Sequence, residues 1–272
     1  MADNATSETQ NKRPASPLRW FIPLVVVALV VVVAGVLLLN PGESLEDETP
    51  PEPTPLLARV VENMRDVDSF QLLIEQQGAA YPFVVSLDEG ASTVTATMRR
   101  GDAQYVSPDT MYANVNLRIS ALPVMAVELY ADGLDQWFKL ANQWIHYPIA
   151  EGFNPGDLIA ENGGFSQALG QLDDVAYIGS ETLIDGTQTW HIQGQAGGQV
   201  INDLLFNLLY VEQDVIVDVF IDKTTSLPAV LEVTLPGTAT EDEADTAWHI
   251  EIYDYNGEVT FDAPNGTANA ES

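Results

Sequence analysis

VIVDVFID, residues 215–222, puts Val215, Val217, Val219 and Ile221 on one phase and Asp218 and Asp222 on the other. Successive side chains of a strand point to opposite faces, so this pattern predicts a strand with one face covered and one in water. Lys223 to Ser226 supplies a turn, after which Ala229, Leu231, Val233 and Leu235 alternate with Glu232 and Thr234. Beyond an acidic loop at Glu241 to Asp245, Trp248, Ile250 and Ile252 alternate with His249, Glu251 and Tyr253. Short alternating runs joined by short turns read as an antiparallel meander. Val259 to Phe261 is expected to close it as a last strand.

Working back towards the N-terminus, Val200 to Tyr210 places Ile201, Leu204, Leu205, Leu208 and Leu209 on one side, the pattern of an amphipathic helix. Strands are expected at Val175 to Glu181 and Thr187 to Gly194, joined through Ile184-Asp185-Gly186. Residues 154–172 read as two short helices, or one kinked helix, around Gly163-Gly164. Between Tyr81 and Tyr147 the candidates are Phe83 to Leu87, Thr93 to Met98, Ala103 to Ser107, Met111 to Ile119, Val124 to Ala131, Gln136 to Leu140 and Gln143 to Tyr147. Turn signals separate them at Asp88-Glu89-Gly90, Arg100-Gly101-Asp102, Ser107-Pro108-Asp109, Asp132-Gly133 and Ala141-Asn142. A strand at Ser69 to Gln76 and an amphipathic helix at Leu56 to Val67 come first. The fold class is α+β: one large antiparallel sheet of about ten strands, long enough to curl, with helices covering one face.

A second signal precedes the domain. FIPLVVVALVVVVAGVLLL, residues 21–39, holds no charge. As a helix it would reach roughly 28 Å, close to the ~30 Å hydrocarbon core of a bilayer. Lys12, Arg13 and Arg19 precede it, whereas Glu43, Glu46, Asp47, Glu48 and Glu52 follow, which predicts a single-pass anchor in the cytoplasmic membrane with its N-terminus inside. A cleaved signal peptide has a shorter core and a small-residue cleavage site, neither of which appears at Leu37-Leu38-Leu39-Asn40-Pro41. A lipoprotein signal needs a cysteine, and the chain has none. The expected organisation is thus a disordered cytoplasmic tail at 1–19, a transmembrane signal anchor at 20–39, an acidic Pro-rich linker at 40–55, an extracytoplasmic domain at 56–264 and a tail at 265–272.

Charge narrows the partners. Beyond Leu39 the chain carries 38 acidic residues against seven basic ones. Nucleic acid binding needs clustered Lys and Arg, and only Arg99-Arg100 forms a basic pair there. Such a charge keeps a domain soluble; adaptation to high salt is the specialised version of the same reading. The lack of cysteine removes disulfides, thiolate metal sites and a cysteine nucleophile.

No catalytic constellation emerges. His146, His191 and His249 each sit in an alternating strand, without the i, i+4 spacing of a helical zinc site, and there is no GxSxG elbow or phosphate loop. Asp218 with Asp222, or Glu241-Asp242-Glu243, could collect calcium, but neither has an EF-hand spacing. No cofactor and no enzymatic activity are expected.

The order LLARVVENMRDVDSFQL, ELYADGLDQWFKLANQWIHYPI, DVAYIGSETLIDGTQTWHIQG, VIVDVFIDKTTSLPAVLEVTL and IEIYDYNGEVTFDAP, spanning roughly residues 56–264, resembles the LppX/LprAFG lipoprotein family. The residues that carry the likeness are Trp137 and Trp144 around Phe138-Lys139-Leu140; Gly179, Asp185-Gly186 and Trp190-His191; Ile221-Asp222 with Leu227-Pro228; and Tyr253, Asn256 and Pro264. The resemblance implies a fold like the Lol lipoprotein carriers, a strongly curved antiparallel half-barrel with helices covering its concave face, and binding of lipid or glycolipid acyl chains in an enclosed space, for transport or presentation. Members that carry lipid are usually tethered through an acylated cysteine; this chain offers a hydrophobic helix instead.

The family has no ligand-binding motif, so candidate lining residues come from the apolar phases. They are Phe70, Leu72, Val115, Leu117 and Phe138 on strands of the first half, and Phe165, Leu169, Leu204 and Leu208 on the helices. Val217, Val219, Ile221, Leu231 and Val233 complete the set in the last meander. Apolar residues of this kind serve equally in a chamber or in a dry core, and close packing is the default for interiors. Three functions remain: a lipid-binding protein, a sensor or scaffold holding a protein partner, and, last, a hydrolase built on a histidine.

Overall fold

The computed structural model describes residues 49–87, 92–119, 122–147, 152–205 and 211–264. The chain divides into two units, 1–49 and 50–272. All of the first but Thr49 lies outside the described residues, and with it the span expected at 20–39; among the described residues no helix is long and apolar enough to cross a membrane.

The second unit is built on one antiparallel sheet of twelve strands. They are β1 (Ser69–Gln77), β2 (Pro82–Leu87), β3 (Ser92–Val106), β4 (Thr110–Ile119), β5 (Met125–Asp132), β6 (Asp135–Leu140), β7 (Gln143–His146), β8 (Asp173–Thr182), β9 (Gln188–Gly197), β10 (Asp214–Asp222), β11 (Pro228–Leu235) and β12 (Thr246–Tyr253). Their order is β7-β6-β5-β4-β3-β1-β12-β11-β10-β9-β8, with β2 paired to β3 alone. The sheet does not close on itself; β7 and β8 are its two ends.

Register explains why one face is covered. Val127, Val115, Gly101, Ile74, Ile250, Leu231, Val219, Ile192 and Tyr177 form a single row of paired residues from β5 to β8. Paired residues of an antiparallel ladder share a face, so this row is apolar across its whole width. One step along the strands, Arg100, Glu75, His249, Glu232, Asp218 and Gln193 make the matching row on the open face. A slip of one residue would exchange the two rows, so burial specifies the register.

Helices lie over the apolar rows. α1 (Pro53–Arg65) begins on a proline, where a missing N–H costs nothing, and buries Leu56, Leu57, Val60 and Met64. Its end is tied to the β10–β11 turn by the Asn63 amide, which donates to Thr225 O at 3.0 Å. α1 packs on α2 (Gly164–Gly170). Gly164 has φ +39°, and the space a side chain would take there is filled by the backbone of Leu158, so only glycine lets the 3₁₀ turn Pro155–Leu158 pack this closely. Beneath the helices Phe70 stacks on Tyr105 with centroids 4.7 Å apart, and Phe165 meets Phe70 edge-on at 6.1 Å.

Four expectations need correction. The sheet has twelve strands where about ten were expected. Arg100-Gly101-Asp102 is not a turn: β3 runs through it as one strand. A bulge between Met98 and Arg100 adds a residue, shifting the covered phase from Ala96 and Met98 to Gly101, Ala103 and Tyr105. That change of phase imitates two strands. The helix expected over Val200 to Tyr210 is instead α3 (Gly198–Ile201) followed by a 3₁₀ turn at Asp203–Leu205, and residues 206–210 lie outside the described part. Val259 to Phe261 forms no strand. After β12 the chain crosses the open face: Asn256 N donates to Ser69 O at 2.8 Å, and Phe261 lies against Tyr112 and Tyr130 of β4 and β5.

Candidate functional site

The two halves of the covered face are built from different residues. Across β10 and β11, Val217, Val219, Ile221, Leu231 and Val233 are all completely buried. Branched side chains in facing registers interlock there, and this half is a dry core. On β3 to β5 the corresponding positions are Gly101, Ala103, Ala113 and Ala131, whose short side chains leave space against the sheet.

The result is a cavity of about 50 Å³ over β1, β3, β4 and β5. Ile74, Met98, Met111, Val115 and Leu129 form its apolar walls; Phe153 and Gln136 meet at one side, the Gln136 amide donating to Phe153 O at 3.3 Å. A cavity this size admits water only where polar partners exist, and here they are few. The apolar surface continues outward on the same face. Met125 pairs with Leu117, while Leu129, Phe138 and Ile145 follow one another across β5, β6 and β7. Leu117, Leu129 and Phe138 are half-buried, Ile145 is 39% exposed and Leu140 is 60% exposed. The cavity therefore opens onto an apolar slope.

Of the residues expected to line a chamber, Val115 does so. Leu117 and Phe138 lie on the slope beyond it. Phe70, Leu72, Phe165, Leu169 and Leu204 are buried in the hydrophobic core, as are Val217, Val219, Ile221, Leu231 and Val233. Leu208 lies outside the described residues. Gly101, Ala103, Ala113, Met98, Met111, Leu129 and Phe153 were not singled out from the sequence. The signal was present as small residues recurring on the covered phase of consecutive strands.

A larger hollow, about 580 Å³, lies between the turn at 183–187 and open-face residues of β11 and β12, among them His249, Glu251 and Tyr253. Asp185, Asp222 and Asp254 also stand in its wall. The Asp222 carboxylate accepts from the Thr224 and Thr225 amides, and bonds from Thr187 hold the Asp185 carboxyl below its ordinary value. These acids cap turns, while Leu183, Ile184, Leu227 and Val230 make much of the remaining wall apolar.

The histidines all sit on the open face beside carboxylates. His191 is 2.7 Å from Asp218 and 2.9 Å from Glu181, His146 is 2.9 Å from Asp135, and His249 is 3.2 Å from Glu251. Among the described residues no group of three or more potential ligands is arranged to hold a metal ion.

An unclosed antiparallel sheet with helices on one face is the fold the resemblance implied. The model of the LppX/LprAFG lipoprotein family matches residues 52–261. The chain belongs to that family. Among solved structures, LprF from Mycobacterium bovis is similar at 16% identity and a TM-score of 0.57, over 79% of this chain and 99% of LprF. LppX from Mycobacterium tuberculosis is similar at 15% identity and a TM-score of 0.51, over 78% of this chain and 100% of LppX. At these identities the likeness concerns the fold. No curated protein matches the chain by sequence.

Proposed function

We propose that this LppX/LprAFG domain binds lipid or glycolipid by receiving acyl chain in the cavity over β3 to β5, for transport or presentation outside the cytoplasm. The observation that carries the reading is the floor of Gly101, Ala103 and Ala113 beneath apolar walls, open to the slope of Leu117, Leu129 and Phe138. Family membership supports it. The cavity of about 50 Å³ falls short of the ~300–1,000 Å³ of typical ligand pockets. It accommodates the end of a chain, the remainder lying along the slope or entering as the contact between Phe153 and Gln136 opens. Each methylene withdrawn from water contributes about 0.8 kcal/mol, so affinity comes from apolar burial and no catalytic group is needed. The hydrophobic run at 20–39 tethers the domain to the cytoplasmic membrane in this reading, with the acidic, Pro-rich stretch ahead of α1 as a stiff, self-repelling spacer.

The test is extraction of the purified chain into organic solvent followed by mass spectrometry. Lipid at a fixed ratio to protein, lowered when the cavity floor is filled, is the expected outcome; protein that carries no lipid from its native membrane overturns the reading.

A further inference from the structure

Two stretches without a carboxylate meet at one end of the sheet. No Asp or Glu occurs from Arg118 to Val127, nor from Gln136 to Ala150. The sheet brings these two stretches together: β4 ends at Ile119 and β5 begins at Met125, while the β6–β7 turn at Ala141 and Asn142 lies at the same end, since β5 and β6 pair antiparallel from Asp132↔Asp135 to Leu129↔Phe138. Ala141 and Asn142, with φ +48° and +65°, make the tight two-residue turn that leaves Leu140 standing at the rim.

Large apolar side chains are bare there. Leu122 is 54% exposed, Val124 48% and Met125 40%, and Leu140 beside them 60%. Isolated exposed apolar residues are ordinary, but a cluster of them on adjoining turns marks an interaction surface. This one is continuous with the slope that leads into the cavity: Met125 pairs with Leu117, whose strand carries Val115 in the cavity wall. Arg118 and Lys139, two of the few cations beyond Leu39, stand on the neighbouring open face. A protein partner with a charged surface would find little to pair with among Leu122, Val124 and Leu140.

We propose that the segment Leu122–Met125 leading into β5 and the β6–β7 turn form a membrane-docking rim, whose apolar side chains enter the interfacial layer of a bilayer so that a lipid tail passes to the cavity without crossing water. The domain as a whole is strongly acidic and repelled by anionic headgroups, so it approaches by an end that combines bare apolar side chains with few carboxylates. The inference rests on the lipid-binding reading and adds to it the route of entry.

A cysteine-free chain makes the test direct, because one introduced thiol carries one label. An environment-sensitive fluorophore is placed at Leu122→Cys or Leu140→Cys in the full chain reconstituted in phosphatidylcholine vesicles. Controls carry it at Leu134→Cys, in the turn at the other end of β5, and at Ile184→Cys; both side chains are fully or largely exposed. At 122 and 140 the emission should shift to the blue, be quenched by brominated lipid and be protected severalfold from aqueous iodide relative to the controls. Probes at 122 and 140 as open to iodide as the controls overturn the docking rim. So does protection from iodide without quenching by brominated lipid, which assigns the patch to a second copy or a protein partner. Co-purified lipid is measured in the same preparations. Its presence alongside water-exposed probes refutes the rim and leaves the binding reading standing; its absence alongside membrane-embedded probes does the reverse.

Discussion

Phe261 lies flat on Tyr112, their ring centroids 5.8 Å apart and their planes 8° from parallel, and it meets Tyr130 edge-on at the same distance. One residue from the chain's end segment thereby pins β4 and β5 from the open side, after the Asp68 amide and the Ser69 hydroxyl have bonded Asn256 and Gly257. Aromatic pairs contribute roughly 0.5–1.5 kcal/mol each beyond area burial, so Phe261→Ala should lower stability by about 1–3 kcal/mol. Urea unfolding checks this, and Phe261→Tyr should restore most of the loss.

Filling the cavity floor should separate binding from folding. A side chain at position 101 would start 3.6 Å from the Val115 methyl and 3.7 Å from Met98 Sδ, which is ordinary contact. Gly101→Ala is therefore tolerated, and Gly101→Leu occupies the space an acyl chain would use. The leucine variant should fold with a Tm near that of the natural protein while its bound lipid falls severalfold, as mass spectrometry reads.

Leu231 behaves in the opposite way. It is fully buried between Val219 and Ile250 in the dry half of the sheet. Leu231→Ala leaves a hole that branched neighbours cannot close, at a cost of about 2–5 kcal/mol. Bound lipid per folded molecule should stay unchanged, and Val115→Ala, at the cavity wall, should destabilise clearly less.

Acid should loosen the β4–β6 region through Glu128. Lys139 Nζ at 2.9 Å, and the Tyr112 hydroxyl donating at 3.0 Å, hold this carboxyl below its ordinary value of 4.5. A carboxyl depressed on folding is protonated more readily in the unfolded chain, so its stabilisation is present above that ordinary value and fades as pH falls through the lower folded one. A plot of Tm against pH should be flatter on the acid side for Lys139→Met.

Alkali tests two phenols. Burial pushes Tyr105 up to about 12, and burial with the Glu128 carboxylate beside it does the same for Tyr112. A raised value means the folded chain holds these protons longer, so stability is kept below the ordinary 10.0 and lost as pH rises through about 12. Burial raises Tyr255 well above 10.0 too, so tyrosinate absorbance should show one late-titrating group fewer in Tyr112→Phe than in the natural protein.

Period-two alternation from Val215 to Tyr253 was enough to read the last meander and its covered face, because one residue of phase decides whether every side chain meets water or core. The turns at Asp132-Gly133 and Ala141-Asn142 were equally local, each needing residues that accept positive φ. What no local pattern carried is the difference between the two halves of the covered face. Val219 and Gly101 occupy the same cross-sheet row, yet one closes the core and the other opens a cavity, and that row exists only once nonconsecutive strands such as β1 and β12 have paired. The β3 bulge was hidden for the same reason, since an extra residue is extra only against a partner strand. Side-chain volume is written residue by residue, whereas the space around it is set by neighbours far away in the chain, and for that reason only the tertiary structure could place the site.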